Sequence, residues 1–135
     1  GGGTTDYAVD IFHSAVAARP YTCFLSQDTR LPMMYMPDAI RAIMELMDAP
    51  ALCLTVRHAY NLTAMSFTPK ELTEAIREKI PTFEIRYEPD FRQAIADSWP
   101  EEIDDQVARR DWGWKPTFTV SRLVTEMIRG VQSVL

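Results

Sequence analysis

The chain has 135 residues and a formal net charge of −5, and 47% of its residues are hydrophobic while 24% are charged. This composition is typical of one globular domain, and two cysteines are too few for a disulfide scaffold. The scattered Lys and Arg residues form no basic stripe, and no apolar run approaches about 20 residues, so we expect neither a nucleic-acid nor a membrane partner.

The first part of the chain predicts a helix followed by two strands. Apolar residues recur at helical spacing over residues 5–16, with aspartates in the first turns, where carboxylates complement the helix dipole. Residues 21–25 and 31–36 are short apolar and aromatic segments on either side of the polar turn 26–30, which is typical of strands. Pro32 makes the second one an edge or irregular strand.

A second helix is predicted from Pro37 and Asp38 to the residue before Pro50. Its apolar stripe is expected to fill a core rather than to bind a metal, and it consists of Ile40, Ile43, Met44 and Met47. Further along, residues 58–63 are predicted as another strand.

The second half of the chain predicts mainly helices. The sequence TPKE is a capping box at the start of a helix over residues 68–79, and the alternation in residues 83–87 indicates a half-buried strand. A short helix is predicted over residues 91–99, and another between the aspartate cap and the closing glycine of residues 104–113. The last helix has a continuous apolar face over residues 120–131. This order of elements is typical of α/β or α+β architecture.

The chain offers no catalytic, cofactor-binding or metal-binding motif. None of the five glycines lies in a G-x-G-x-x-G or Walker pattern, and no tyrosine has a lysine four residues later. His13 and His58 have no sequence context of a triad or metal site, which favours surface or packing roles. Trp112 and Trp114 flank Gly113 at a predicted helix end, where packing is more common than cofactor stacking.

The segment GTTDY carries the one arrangement with clear binding chemistry. Threonine hydroxyls donate and accept, and an ionised aspartate only accepts, so Thr4, Thr5 and Asp6 could hold a zwitterion by its carboxylate and its ammonium. The alternative is an N-cap cluster, since Thr and Asp are preferred at helix starts. Both roles are compatible, because a helix N-terminus also attracts a carboxylate.

Five segments resemble, in order, the C-terminal half of the NAD-dependent L-threonine 3-dehydrogenases of the extended short-chain dehydrogenase type: GGGTTDYAVDIF, LPMMYMPDAI, AYNLTAMSFTPKEL, RQAIADSWP and ARRDWGWKPTF. The segments TTDYA, MSFTP and DSWP point to these enzymes, whereas YMPDAIRAI and AYNL resemble nucleotide-sugar epimerases more loosely. Departures at Arg19, at Pro20 and in residues 104–112 are peripheral to the substrate loop.

The resemblance implies an α/β fold in which a substrate-binding lobe is joined by a helix and a strand, residues 37–49 and 59–62, that complete a Rossmann-type sheet. Residues 1–135 would be the C-terminal substrate-binding region of a larger enzyme. The dinucleotide-binding half, with the catalytic tyrosine and lysine, would precede them, so NAD would be bound mainly by that missing half. The chain alone is therefore expected to be inactive.

The activity implied by the resemblance is oxidation of L-threonine to 2-amino-3-oxobutanoate with NAD, with Thr4, Thr5 and Asp6 in the substrate site. A homodimer formed through upstream helices is also implied, in mitochondria, or in the cytoplasm if the source is bacterial. Two alternatives remain. One is a nucleotide-sugar epimerase or reductase lobe, which needs a roomy, Arg-lined pocket for a diphosphate. The other is a truncated, non-catalytic interaction module.

Overall fold

The computed structural model describes residues 3–134, so Gly1 and Gly2, which belong to the glycine cluster expected to let the loop approach its ligand, lie outside the described residues. The α/β fold class predicted from the sequence is confirmed. The elements of the described part are, in chain order, α1 (Tyr7–Val16), β1 (Tyr21–Cys23), β2 (Leu31–Met33), α2 (Met36–Asp48), β3 (Met65–Phe67), α3 (Pro69–Arg77), β4 (Ile85–Tyr87), α4 (Arg92–Asp97), α5 (Gln106–Trp112) and α6 (Val120–Gln132).

The strands form two small sheets within residues 3–134. Strand β1 pairs in parallel with β4, so that Tyr21 lies opposite Ile85. Strand β2 pairs antiparallel with β3, and Pro32 lies opposite Ser66. A two-stranded sheet leaves Pro32 on an edge, which agrees with the irregular strand predicted for this segment.

The main core lies where α1 packs against β1, α3 and α6. Its fully buried side chains come from all four elements and include Ile11, Cys23, Leu72 and Val124. A smaller second core is built on Ala42 of α2, Ala108 of α5 and the completely buried Trp114, with Trp112 packed against it. The packing role predicted for both tryptophans is confirmed.

Two helix boundaries follow the sequence signals closely. Thr68 Oγ1 accepts a hydrogen bond from the Glu71 N–H at 3.1 Å, and the Glu71 carboxylate accepts one from the Thr68 N–H at 3.0 Å, so the predicted capping box is confirmed. Gly113 ends α5 with a φ of 76°, a left-handed conformation that glycine adopts without steric cost. The N-cap position of α5 is Asp105, but the side chain that accepts from the start of the helix is that of the predicted Asp104, whose carboxylate accepts from the Gln106 N–H at 2.9 Å.

Residues 58–63, predicted as a strand, have no regular structure in the described part of the chain. The prediction was wrong here because a strand needs a neighbour that completes its ladder. Within residues 3–134 no backbone-to-backbone hydrogen bond involves this segment. Its alternating composition therefore has no partner strand in this structure.

The apolar stripe of α2 was expected to fill a core, and this expectation was also wrong for the described residues. Asp38 and Ala42 are the buried positions of α2, and they lie on the other face of the helix. Each member of the stripe is more than half exposed, at 56% for Ile40, 59% for Ile43, 53% for Met44 and 73% for Met47. The helix therefore presents its apolar face outward.

Helix α1 ends in a Schellman motif that contains a non-glycine residue in a left-handed conformation. The Arg19 N–H donates to the Ser14 carbonyl at 2.9 Å, and the Ala18 N–H donates to the Ala15 carbonyl at 3.2 Å. Ala18 has a φ of 51°, where the Cβ crowds the following carbonyl oxygen. The position is therefore strained in this chain and would suit glycine.

Two buried carboxylates tie loops to helices. Asp38 accepts hydrogen bonds from Arg41 and from the hydroxyl and the N–H of Thr117, and also from the N–H of Phe118 at 3.0 Å. This links the start of α2 to the segment before α6. Burial opposes ionisation, but these hydrogen bonds outweigh it and hold the pKa of Asp38 below its usual value.

Asp111 performs the same role for the segment after α2. Its Oδ2 accepts hydrogen bonds from the Thr55 N–H at 2.8 Å, the Thr55 hydroxyl at 2.7 Å and the Tyr60 hydroxyl at 2.7 Å. Its Oδ1 accepts one from Arg110 Nε at 2.9 Å. Burial alone would raise the pKa of Asp111. The hydrogen bonds, led by that from the Thr55 N–H, lower it by more than burial raises it, so the pKa lies well below its ordinary value.

Acid sensitivity follows from the lowered pKa of Asp111. The pKa of Asp111 in the folded state lies below its unfolded value of about 4, so the unfolded state binds more protons as the pH falls. The stability that Asp111 contributes is therefore fully present above the unfolded pKa and is lost as the pH falls toward and through the folded pKa. We expect a constant Tm between about pH 7 and 5 and a fall below about pH 4. Asp111→Asn should lower the Tm at pH 7 and flatten the acid limb. Circular dichroism melts over pH provide the measurement, with the exposed Asp48→Asn as the control, and an unchanged acid limb in Asp111→Asn would contradict the assignment.

Ala18→Gly is expected to stabilise the chain, although glycine normally destabilises a folded protein. The substitution removes the left-handed Cβ strain at the Schellman position, which exceeds the added entropy of the unfolded chain and leaves a gain of about 0.5–1 kcal/mol. The Tm should rise by about 2–4 °C. Ala17→Gly, one residue earlier at φ −78°, is the matched control and should lower the Tm. A lower Tm for Ala18→Gly would show that the strain is not relieved.

Candidate functional site

The predicted substrate-binding residues form a turn that leads directly into α1. The Asp6 N–H donates to the Gly3 carbonyl at 3.2 Å, and the Ala8 N–H donates to the Thr5 carbonyl at 3.0 Å. Thr4 is buried, whereas Thr5 and Asp6 are half-buried. The structure thus brings Thr4, Thr5 and Asp6 together at the N-terminus of a ten-residue helix.

The side chain of Asp6 does not cap α1. Asp6 is the N-cap residue, with helical φ and ψ of −61° and −21°, and its carboxylate makes no cap hydrogen bond to the helix. Instead its Oδ2 accepts from the Gly3 N–H at 2.8 Å, which closes the turn from the other side. The capping alternative drawn from the sequence is therefore wrong for this side chain.

The carboxylate of Asp6 also explains why glycine stands at position 3. A Cβ added to Gly3 would lie 2.9 Å from Asp6 Oδ1 and 3.4 Å from Asp6 Cγ. The first distance is too short for carbon and oxygen, so a larger residue would displace either the carboxylate or the turn. Gly3 therefore lies in close contact with the Asp6 side chain.

The turn combines the groups that recognise a zwitterion. The positive end of the α1 dipole favours an anionic carboxylate, and threonine hydroxyls can donate to its oxygens. Asp6 adds an acceptor for an ammonium group. Groups of this kind are chemically suited to holding a small charged molecule.

Two other concave regions of the described chain are polar. One cavity of about 230 Å³ lies between the β1–β2 turn and α4, where Gln93 accepts from the Ser26 N–H at 2.8 Å and donates to Thr29 and Asp97. The sequence analysis missed this network, because it joins side chains far apart in the chain and no motif marks it. A larger one, of about 450 Å³, is lined by Asp28, Arg30, Thr68, Lys70, Glu71, Glu74 and Glu101.

The histidines do not line either of these two cavities. His13 and His58 are exposed, and no group of three or more His, Cys, Asp or Glu residues within residues 3–134 could hold a metal ion. Over the same residues, no helix is long and apolar enough to cross a membrane.

The described residues do not fit a dinucleotide. A pyrophosphate needs closely spaced glycines between a strand and a helix N-terminus. Among the described glycines, Gly3 lies in the turn before α1, Gly113 closes a helix, and Gly130 lies inside one. No residue of this part of the chain therefore forms the phosphate cradle of NAD.

No protein-family profile matches the chain, but individual proteins and solved structures do. The chain is 54% identical over 129 residues to mitochondrial L-threonine 3-dehydrogenase of Bos taurus, and 47% identical over 133 residues to an uncharacterized epimerase/dehydratase of Staphylococcus saprophyticus. The solved GalE-like L-threonine dehydrogenase of Cupriavidus necator in its apo form superposes with a TM-score of 0.94 at 62% identity.

These matches cover almost all of the chain but only part of each relative. The match to the bovine protein covers 95% of this chain and 34% of that protein. The staphylococcal match covers 98% of this chain and 42% of that protein, and the Cupriavidus match covers 96% of this chain and 47% of that structure. The chain thus spans about a third to a half of the proteins it matches. Over nearly its whole length, this chain therefore corresponds to the C-terminal part of the GalE-like L-threonine dehydrogenases.

Proposed function

We propose that this chain is the C-terminal substrate-binding portion of an L-threonine 3-dehydrogenase, which oxidises L-threonine to 2-amino-3-oxobutanoate with NAD. The observation that carries the proposal is the 62% identity to a solved L-threonine dehydrogenase over 96% of the chain. Because the chain lacks a phosphate cradle, NAD is held mainly by the part of the protein outside it. The contribution of these residues is to bind and orient the amino acid.

In the proposed substrate complex, Asp6 pairs with the ammonium of threonine, and Thr4, assisted by Thr5, hydrogen-bonds its carboxylate. The turn supports these roles because it places the Asp6 carboxylate and the threonine hydroxyls at a helix N-terminus, which favours an anion. Gly3 lets the backbone and the Asp6 carboxylate lie in contact. The charges of a zwitterionic substrate are thus met by opposite partial or full charges.

Asp6→Asn tests the substrate role in the longer enzyme that contains this segment. The amide can still accept from the Gly3 N–H, so the turn survives, whereas the charged contact to the ammonium is lost at a cost of about 2–5 kcal/mol. We expect kcat/KM for L-threonine to fall by more than tenfold, with the Tm and the affinity for NAD nearly unchanged. Steady-state kinetics with varied threonine and NAD provide the measurement.

Asp10→Asn is the matched control, because Asp10 is an exposed carboxylate in the first turn of the same helix. It removes the same charge one turn further along α1 and should leave kcat/KM nearly unchanged. If Asp6→Asn behaves like Asp10→Asn, Asp6 does not bind the substrate ammonium.

The proposed domain organisation assigns the exposed apolar stripe of α2 and residues 58–63 to contacts with the cofactor-binding half. Exposed apolar patches on soluble monomers seldom exceed about 300–600 Å², and the four large side chains of the stripe reach that range. Within residues 58–63 the Thr63 carbonyl accepts a hydrogen bond from Trp114 Nε1, and no backbone-to-backbone hydrogen bond of this segment is present among the described residues, so it suits addition to the edge of a sheet. Hydrogen bonds fix both elements to the rest of the chain: Asp38 of α2 accepts from Thr117, and Tyr60 of residues 58–63 donates to Asp111.

Ile43→Asp tests this contact, with the chain and the preceding half of the longer protein expressed as two polypeptides. The unsubstituted halves should copurify and restore NAD-dependent threonine oxidation, which neither half performs alone. A charge in the stripe should abolish copurification, while the Tm of the 135-residue chain changes little because Ile43 is exposed. The control Val134→Asp places the same charge on an exposed apolar residue of the C-terminal segment. Copurification that tolerates Ile43→Asp would remove α2 from the interface.

A nucleotide-sugar epimerase or reductase is the second candidate, favoured by the 47% identity to a protein named as an epimerase/dehydratase. Its diphosphate substrate needs clustered cations. The 450 Å³ cavity is lined by four carboxylates against Arg30 and Lys70, and Arg30 is itself paired with Glu71. This charge distribution does not suit a diphosphate, and assays of the complete protein with threonine and with nucleoside-diphosphate sugars separate the dehydrogenase from the epimerase or reductase.

A non-catalytic interaction module is the remaining alternative. Such a module would copurify with a partner and would show no turnover.

The complete enzyme is proposed to be a homodimer. Its proposed location is the mitochondrion, in line with the name of the bovine relative, or the cytoplasm if the source is bacterial, as the staphylococcal relative is.

A further inference from the structure

The guanidinium of Arg92, at the start of α4, lies over the ring of Phe24, with Cζ 3.2 Å from the ring centroid. An ion pair holds this guanidinium in place, because Arg92 Nε donates to both carboxylate oxygens of Asp90 at 3.0 Å. The same carboxylate also accepts from the Arg92 N–H at 2.9 Å. A fixed cation therefore lies on an aromatic face that attracts it.

Backbone hydrogen bonds tie the residues after β1 to the same segment. The Asp90 N–H donates to the Phe24 carbonyl at 3.2 Å, and the Ser26 N–H donates to the Gln93 side chain at 2.8 Å. Hydrogen bonds from Arg92 hold the pKa of Asp90 below its usual value, so the ion pair stays charged at neutral pH. Both the backbone and the ring of Phe24 are thus held by residues 90–93.

The ring of Phe24 contacts the ring of Tyr7, which is the first residue of α1. The two rings meet edge to face, with centroids 6.4 Å apart and an interplanar angle of 87°. This is a preferred arrangement of aromatic pairs. Both side chains belong to the main core, and Tyr7 is completely buried. The position of the first turn of α1 is therefore tied to Phe24.

The first turn of α1 is in turn bonded to the Thr4–Asp6 turn. The Ala8 N–H donates to the Thr5 carbonyl at 3.0 Å, and the Asp10 N–H donates to the Asp6 carbonyl at 2.9 Å. Closely packed interiors transmit small displacements, because they have few voids to absorb them. A shift of the Tyr7 ring would therefore move the hydroxyls and the carboxylate of the turn with it.

We propose that Arg92 is a positioning residue for substrate binding, which acts through Phe24 and Tyr7 to fix where the Thr4–Asp6 turn presents its polar groups. This inference rests on the substrate role proposed for that turn. Arg92 itself need not touch the substrate. Its contribution is to hold the Phe24 ring against Tyr7, so that the ammonium and carboxylate contacts are in place before the amino acid binds.

Arg92→Gln in the longer enzyme tests this role, because it removes the cation and leaves both rings in place. We expect the KM for L-threonine to rise about three- to tenfold, with kcat and the KM for NAD nearly unchanged, since a loosened turn weakens binding rather than the chemical step. The Tm should fall by no more than about 3 °C. A lower Tm with an unchanged KM for threonine would mean that Arg92 is merely structural and would overturn the proposal.

Arg122→Gln is the matched control. Arg122 also lies over an aromatic ring, that of Phe118, at 4.4 Å from Cζ to the centroid, but Phe118 contacts Tyr35 rather than Tyr7. Its loss should leave the KM for threonine unchanged. If Arg92→Gln fails to fold, Asp90→Asn loosens the same guanidinium without removing it, and the KM should rise in the same direction by a smaller factor.

A double-mutant cycle with Asp6→Asn separates this inference from the proposed function. Because Arg92 acts through the turn, the double variant should have a kcat/KM within about twofold of Asp6→Asn alone. Losses that simply multiply would show that Arg92 acts elsewhere and would overturn the positioning role. A normal KM in Arg92→Gln beside an impaired Asp6→Asn overturns that role while the substrate turn stands. An unimpaired Asp6→Asn overturns the substrate turn and this inference with it.

Discussion

The carboxylate of Asp38 joins the two cores of this chain. It lies at the start of α2, on the face that also carries Ala42 of the smaller core, and it accepts hydrogen bonds from Thr117 and Phe118 immediately before α6. Helix α6 in turn supplies Leu123 and Val124 to the main core. A single buried charge, which accepts hydrogen bonds from several donors, therefore sets the position of α2 relative to the main core that carries the Thr4–Asp6 turn.

The hydrogen bonds of Asp38 explain why the apolar face of α2 points outward. A helix held only by apolar contacts would rotate to bury its larger apolar stripe, because burial of such side chains is worth about 1.5–3 kcal/mol each. Asp38 instead fixes the polar side inward, where an unpaired carboxylate would be costly, and leaves the stripe available. The orientation of α2 is thus decided by hydrogen bonds, and its apolar surface stays exposed.

Local signals predicted much of the fold. The capping box of Thr68 and Glu71, the left-handed Gly113 and the helical periodicity of α6 depend on neighbouring residues, and all three are present in the structure. Failures occurred where long-range contacts decide the outcome. Residues 58–63 have strand composition but no strand partner, and the α2 stripe has core composition but no covering element. The Thr4–Asp6 turn was predicted as a unit, but its hydrogen bond to Gly3 could not be, because capping was the preferred use of an aspartate there.

The packing of α1 against α6 has a consequence for the order in which the molecule folds. These are the first and last helices of the described chain. Strand β1 likewise pairs with β4, which lies about 60 residues later in the same chain. Contacts between residues so distant in sequence carry a large loop-closure entropy, and they slow folding in proportion to their share of the total. Helix α1 alone, at ten residues, is too short to persist in water. The Thr4–Asp6 turn therefore acquires its shape late, after α1 has docked on elements that lie far along the chain.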